Sequence, residues 1–172
     1  MNDSGYVVAF NILDSGYRYR WLPAMVLLFI PLGLLTMSLY EGRRRIETGR
    51  PKNARSFLKG IRLPAMTLVA FSLLLALVTF VGTFVDYWNC SHAFASDKAL
   101  YVEGTVDNFV PMPRNGHGEE SFTVNGVDFS YSDFHIQAGF NTTTFKSGPI
   151  HQGLPVRIWY VGKEIVKLEI KK

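Results

Sequence analysis

Two runs without a single charged residue, Trp21–Tyr40 and Leu63–Val85, stand out against the mixed apolar and polar residues around them. As helices rising about 1.5 Å per residue they would extend about 30 and 34 Å, enough to cross a hydrocarbon core of about 30 Å. Downstream the pattern changes to a period of two. Ala99–Val110 sets Val102, Val106 and Val110 on one face and Tyr101, Thr105 and Phe109 on the other, with Gly104 inside the run as the expected site of a bulge or bend. Glu119–Val124 and Val127–Asp133 flank Asn125-Gly126, residues that accept the positive φ of a tight hairpin, and would bury Phe122, Val124, Val127, Phe129 and Tyr131. Residues 134–153 have the Gly, Thr, Ser and Pro content of a loop with room for a short helix at most. Leu154–Val161 and Glu164–Ile170 supply two more strands.

The pattern predicts a membrane α-helical hairpin plus an all-β domain: two transmembrane helices followed by a small five-stranded OB-like barrel, with a small open sheet as the alternative to closure. The expected divisions are an N-terminal tail at 1–20, helices at 21–40 and 63–86, a basic loop at 41–62, a linker at 87–98 and the β domain at 99–172. The tail contains Tyr6–Leu13, a β-favouring run that would either add an edge strand or rest in the lipid interface.

Charge turns this plan into an orientation. The formal net charge of +4 resolves into +6 for residues 41–62, −2 for 86–172 and none for 1–20. Arg43, Arg44, Arg45, Arg50, Lys52, Arg55, Lys59 and Arg62 thus gather between the helices, and short basic loops stay on the cytoplasmic side. Both termini and the β domain are therefore expected outside the cytoplasm. Tyr17, Tyr19, Trp21, Tyr40, Tyr87 and Trp88 fall at the helix ends, where an aromatic belt would sit. On the second helix Ser72, Ala76, Thr79 and Thr83 share one stripe, small enough for another helix to approach closely.

Candidate chemistry is sparse. His92, His117, His135 and His151 lack the spacing of a metal motif, and Cys90 is the only cysteine, so no disulfide can close within one chain. Glu119-Glu120 reads as a solvated strand edge. An OB-like barrel that binds nucleic acid needs a basic, aromatic groove, whereas this domain has balanced charge, so no nucleic acid is expected. No catalytic group and no cofactor is expected either. Tyr101, Phe109 and Trp159, on strand faces opposite the expected core, are the candidate interaction residues.

Gly104-Thr-Val, Glu120-Ser-Phe-Thr-Val-Asn-Gly-Val-Asp-Phe-Ser-Tyr and Gly153-Leu-Pro-Val-Arg-Ile-Trp-Tyr-Val-Gly resemble segments of small uncharacterised bacterial membrane proteins that couple one or two spans to a short extracytoplasmic β domain. In outline the chain is also similar to NfeD-type membrane proteins. These resemblances imply a bacterial inner membrane and carry over no site residue. The expected function is a membrane-anchored, non-enzymatic protein-binding or envelope-interaction module. Its expected partners are the lipid bilayer and either another protein or a second copy. The alternatives are an accessory subunit of a larger membrane complex and an immunity protein against a periplasm-acting toxin.

Overall fold

A computed structural model of the chain describes residues 5–15, 17, 22–47, 54–113 and 118–172. In chain order its elements are β1 (Tyr6–Asn11), α1 (Ile12–Ser15), α2 (Leu22–Glu47), α3 (Ala54–Ala95), β2 (Leu100–Val110), β3 (Glu120–Val124), β4 (Val127–Tyr131), a 3-10 turn (Thr144–Lys146), β5 (Pro155–Val161) and β6 (Glu164–Lys171). The chain divides into two compact units, Trp21–Gly82 and the remainder, Met1–Arg20 with Thr83–Lys172.

The helical unit is apolar on most of its described surface. Phe29, Leu32, Leu34 and Met37 of α2 are exposed, as are Leu73, Leu74, Leu77 and Val78 of α3. The helix α2 continues through Pro31. The helices outrun the apolar runs that predict them. Arg43, Arg44 and Arg45 belong to α2, while Arg55, Lys59 and Arg62 belong to α3, so these six of the eight basic residues are helical and not in a loop. Arg50 and Lys52 lie outside the described residues. At its other end α3 runs to Ala95, through most of the stretch expected to be a linker.

Two transmembrane helices followed by a five-stranded barrel is not the fold observed. Among the described residues one helical stretch, Met66–Ala95, is long and apolar enough to cross a membrane. The strands form an open, antiparallel sheet of six in the order β1-β6-β5-β2-β3-β4. A sixth strand takes the edge of β6 that closure of a five-stranded barrel would use. Tyr6–Asn11 pairs with β6, so the outer edge of β6 is already occupied and β1 and β4 become the two ends of the sheet.

The strand β2 serves both halves of the sheet: Leu100–Thr105 pairs with β5, whereas Val106 and beyond pairs with β3. The irregularity is not at Gly104. It lies at Asn108, whose φ is 50°, where the register slips between Asp107 and Val110. An extra residue in one strand reverses its alternation. Phe109 therefore turns toward the core and Val110 is 56% exposed. Gly104 serves a close approach instead, since a Cβ there would lie 3.1 Å from Val124 Cγ1. The Asn125-Gly126 hairpin has the expected positive φ values, 52° and 81°.

Apolar side chains collect on both faces of the sheet. The larger cluster includes Val106, Phe122, Val124, Phe129, Tyr131 and Phe140, with edge-on ring contacts such as Tyr131–Phe140 at 5.2 Å and Phe129–Tyr160 at 5.3 Å. The smaller cluster joins Ile12, Cys90, Ala138 and Val166, flanked by Tyr87, Phe94, Ala99 and Trp159. A slip in the β5–β6 register, Trp159 facing Lys167 but Tyr160 facing Ile165, leaves Val166 as the extra residue and sends Val166 and Leu168, two positions apart, into different clusters. The last turns of α3 are thereby packed onto the sheet. Each fully buried aliphatic side chain contributes about 2 kcal/mol to that union.

Candidate interaction surface

Alternation along β2, β5 and β6 places Tyr101, Glu103, Arg157, Trp159, Lys167 and Glu169 on the sheet face that looks away from the larger cluster. Direct register neighbours meet there: Tyr101 with Trp159, Glu103 with Arg157, and Arg157 with Glu169. The Tyr101 and Trp159 rings lie 4.9 Å apart, and Lys167 Nζ is 4.3 Å from the Trp159 ring. The Arg157 guanidinium covers the Tyr6 ring at 4.1 Å, and its Nε stands 3.2 Å from Glu103 Oε2. The Tyr101 hydroxyl donates to the same carboxylate oxygen at 2.5 Å.

These contacts set the protonation of the patch. The hydrogen bond from Tyr101 and the adjacent Arg157 hold the Glu103 carboxyl below the usual glutamate range. Partial burial, followed by the bond to Glu103 and its negative charge, pushes the Tyr101 hydroxyl up to about 12. At neutral pH a neutral phenol therefore donates to a charged carboxylate.

The three aromatic residues singled out from sequence do not share one site. Tyr101 is 49% exposed beside Trp159, but Trp159 is half-buried against the smaller cluster. Phe109 is on β2's other half, half-buried against the larger cluster, with its N–H donating to Gln152 Oε1 at 2.9 Å. On α3, Ala76 is 5% exposed and Ser72, Thr79 and Thr83 are half-buried, so this stripe is the least exposed face of the helix. The Thr83 hydroxyl meets the Tyr17 hydroxyl at 2.7 Å. Arg43 and Arg44 are exposed.

A second surface, which sequence reading misses, is built on a residue it misassigns. Glu120 is not a solvated edge: it alternates inward with Phe122 and Val124 and is fully buried. Its carboxylate accepts from the Tyr131 hydroxyl and, at Oε2, from Thr144 N–H at 3.0 Å and Thr144 Oγ1–H at 2.7 Å. Burial first, and then this carboxylate, raises the Tyr131 hydroxyl far above the usual phenol range. The bonds to Thr144 fix the 3-10 turn, which closes through Ser147 at φ 63° and the Gly148 N–H to Thr143 O bond at 2.8 Å. A Cβ at Gly148 would lie 2.1 Å from Thr142 O, so only glycine fits there.

On the segment between β4 and β5, Phe134, Ile136 and Phe145 are 55%, 49% and 75% exposed. Lys146 stands 6.0 Å from the Phe134 ring centroid and 2.9 Å from Asp133 Oδ2, while His135 lies 3.5 Å from Glu119. The available signal was three large apolar residues in a segment otherwise of Gly, Thr and Ser.

A groove of about 310 Å³ runs beside the hairpin, lined by Asn108, Ser121, Thr123, Asp128, Ser130 and Lys163 among others. Its polar lining combines three hydroxyls, one carboxamide, one carboxylate and one amine without a histidine. Among the described residues no three His, Cys, Asp or Glu side chains converge to hold a metal ion. No protein-family model, no curated protein and no solved structure matches the chain.

Proposed function

We propose that this protein is a membrane-anchored, non-enzymatic interaction module displayed outside the cytoplasm, whose β domain engages a protein partner or another envelope component. The observation that carries the reading is the patch formed by Tyr101 with Tyr6, Glu103 and Arg157. Tyr, Trp and Arg are the side chains that most often dominate binding energy, because they bury large areas and lose little freedom when already held. Here Tyr101 is half exposed and is held by Trp159 and Glu103 before any partner arrives.

Anchoring by lipid rests on the apolar exterior of the helical unit and on the length of Met66–Ala95. Pairing of β1 with β6 requires residues 6–11 and the C-terminal strands to occupy one compartment. The excess of Arg and Lys in 41–62 supports a cytoplasmic position for that segment, and hence an extracytoplasmic sheet. The resemblance to small bacterial membrane proteins favours the inner membrane.

The test is a photoreactive phenylalanine analogue at position 101 of the full chain in its native membrane, with a control at the exposed Asn125. A discrete adduct from position 101, absent from position 125 and lost on Arg157→Ala, is expected. Failure of position 101 to give any adduct, in a protein whose circular dichroism is unchanged, would overturn the proposal. Trp159 is a poorer probe, since its replacement also disturbs the smaller cluster.

A further inference from the structure

We infer that the loop bearing Phe134, Ile136 and Phe145 is a second membrane contact, which lays these side chains in the headgroup region beside the outer end of α3. The inference rests on the membrane reading above and adds to it the surface by which the β domain sits on the bilayer. Its starting point is the smaller cluster, where Ala138 and Cys90 are buried together.

Val85 is the last residue of the apolar run, and Cys90 follows it by little more than one helical turn. At about 1.5 Å per residue this places Cys90 some 7 to 8 Å beyond the hydrocarbon boundary. The headgroup layer on each side of a bilayer is of about that thickness. Ala138 is thereby brought to headgroup level by its shared cluster with Cys90. A chain reaches at most about 3.5 Å per residue, so Ile136 lies no more than about 7 Å from Ala138 and Phe134 no more than about 14 Å, and Lys146, the neighbour of Phe145, stands 6.0 Å from the Phe134 ring centroid. Trp88, 57% exposed on the same turns of α3, is the aromatic residue expected at such a depth.

The chemistry of the loop agrees with its position. Interfacial segments bury apolar side chains about 5 to 10 Å into the boundary between headgroups and acyl chains. The polar groups flanking the apolar tip have neighbours of their own, Lys146 paired with Asp133 and His135 beside Glu119. Pairing lowers the cost of bringing them into a medium less polar than water. The bonds from Thr144 to the buried Glu120 hold the turn that carries Phe145, so less ordering entropy is lost there on contact.

The experiment uses the full chain in vesicles of phosphatidylcholine and phosphatidylglycerol, in a Cys90→Ala background. An environment-sensitive fluorophore is attached at Ile136→Cys, Phe145→Cys, Asn125→Cys or Val78→Cys, and lipids spin-labelled near the glycerol backbone or deep in the chains are added. The expected result is blue-shifted emission at positions 136 and 145, with more than half of it lost to the shallow quencher and none lost at 125. Unquenched emission at 136 and 145, with position 78 quenched by the deep label, would overturn the loop contact and leave this surface to a protein partner. An unquenched position 78 would overturn the membrane reading itself and the loop contact with it.

Discussion

The same pair of side chains, a tyrosine hydroxyl donating to a glutamate, occurs at two places in the β domain with opposite consequences. Tyr131 and Glu120 are buried, and their carboxylate also takes both donors of Thr144. Tyr101 and Glu103 are exposed, and their carboxylate shares Arg157 in water. Inside, no water can replace a lost partner, so the pair determines the course of the loop. Outside, water competes for every bond, so the pair arranges a surface while adding little to stability. Environment, not residue type, separates a structural clamp from a recognition element.

The contrast can be broken most forcefully at Glu120. Glu120→Ala leaves the Tyr131 hydroxyl and both Thr144 donors without their acceptor and should cost about 3 kcal/mol of unfolding free energy. The check is denaturant unfolding together with hydrogen exchange, in which the Thr144 amide should lose its protection. Next in size is Gly148→Ala, which drives a methyl group into Thr142 O and Thr143 O. It should destabilise the domain by about 2 kcal/mol, and the circular dichroism of the sheet should survive while the loop loosens.

The smallest effect belongs to the exposed pair. Glu103→Gln should leave the denaturation midpoint unmoved but shift a titration. Tyr101 binds its proton more tightly folded than unfolded, so its contribution to stability is present below pH 10 and fades as pH rises toward about 12. Glu103 runs the other way: its carboxyl is lowered, so its contribution is present above the usual glutamate range and is lost as acid protonates it in the folded state. In a tyrosinate absorbance titration, Glu103→Gln should bring the Tyr101 step down part of the way. Burial, the largest cause of the shift, remains. A full return to the ordinary value would show that the carboxylate alone sets it.

Period and turn chemistry explain which parts of this architecture are legible in the sequence. Strands β2 to β6 and the Asn125-Gly126 hairpin follow from alternation and from residues that accept positive φ. Phe122, Val124, Phe129 and Tyr131 occupy the inward positions that the pattern assigns, although Val127 is only half-buried. What alternation cannot register is a one-residue slip. The bulge at Asn108 exchanges the faces of Phe109 and Val110, and nothing in the local composition distinguishes Asn108 from Gly104 as its site. Closure was equally hidden, since it depends on whether Tyr6–Asn11 pairs with a strand at the far end of the chain. Glu120 was misread because a glutamate at the start of a strand is ordinarily exposed. Its burial depends on Tyr131 and Thr144, acceptable partners that only the folded chain brings within reach.

The union of β1 with β6 also fixes an order of events. The strand β1 waits for β6 to be synthesised, and the backbone bond from Lys172 N–H to Gly5 O at 2.9 Å extends their pairing. Contacts so distant in sequence are slow to form, because the loop they close is very long. During that interval Val7, Val8 and Phe10 have no sheet to join. A nascent chain released before Glu164 would carry β1 as an unpaired, uncharged strand, the kind of segment that pairs with other chains and aggregates. The pairing of β1 is thus conditional on the synthesis of β6.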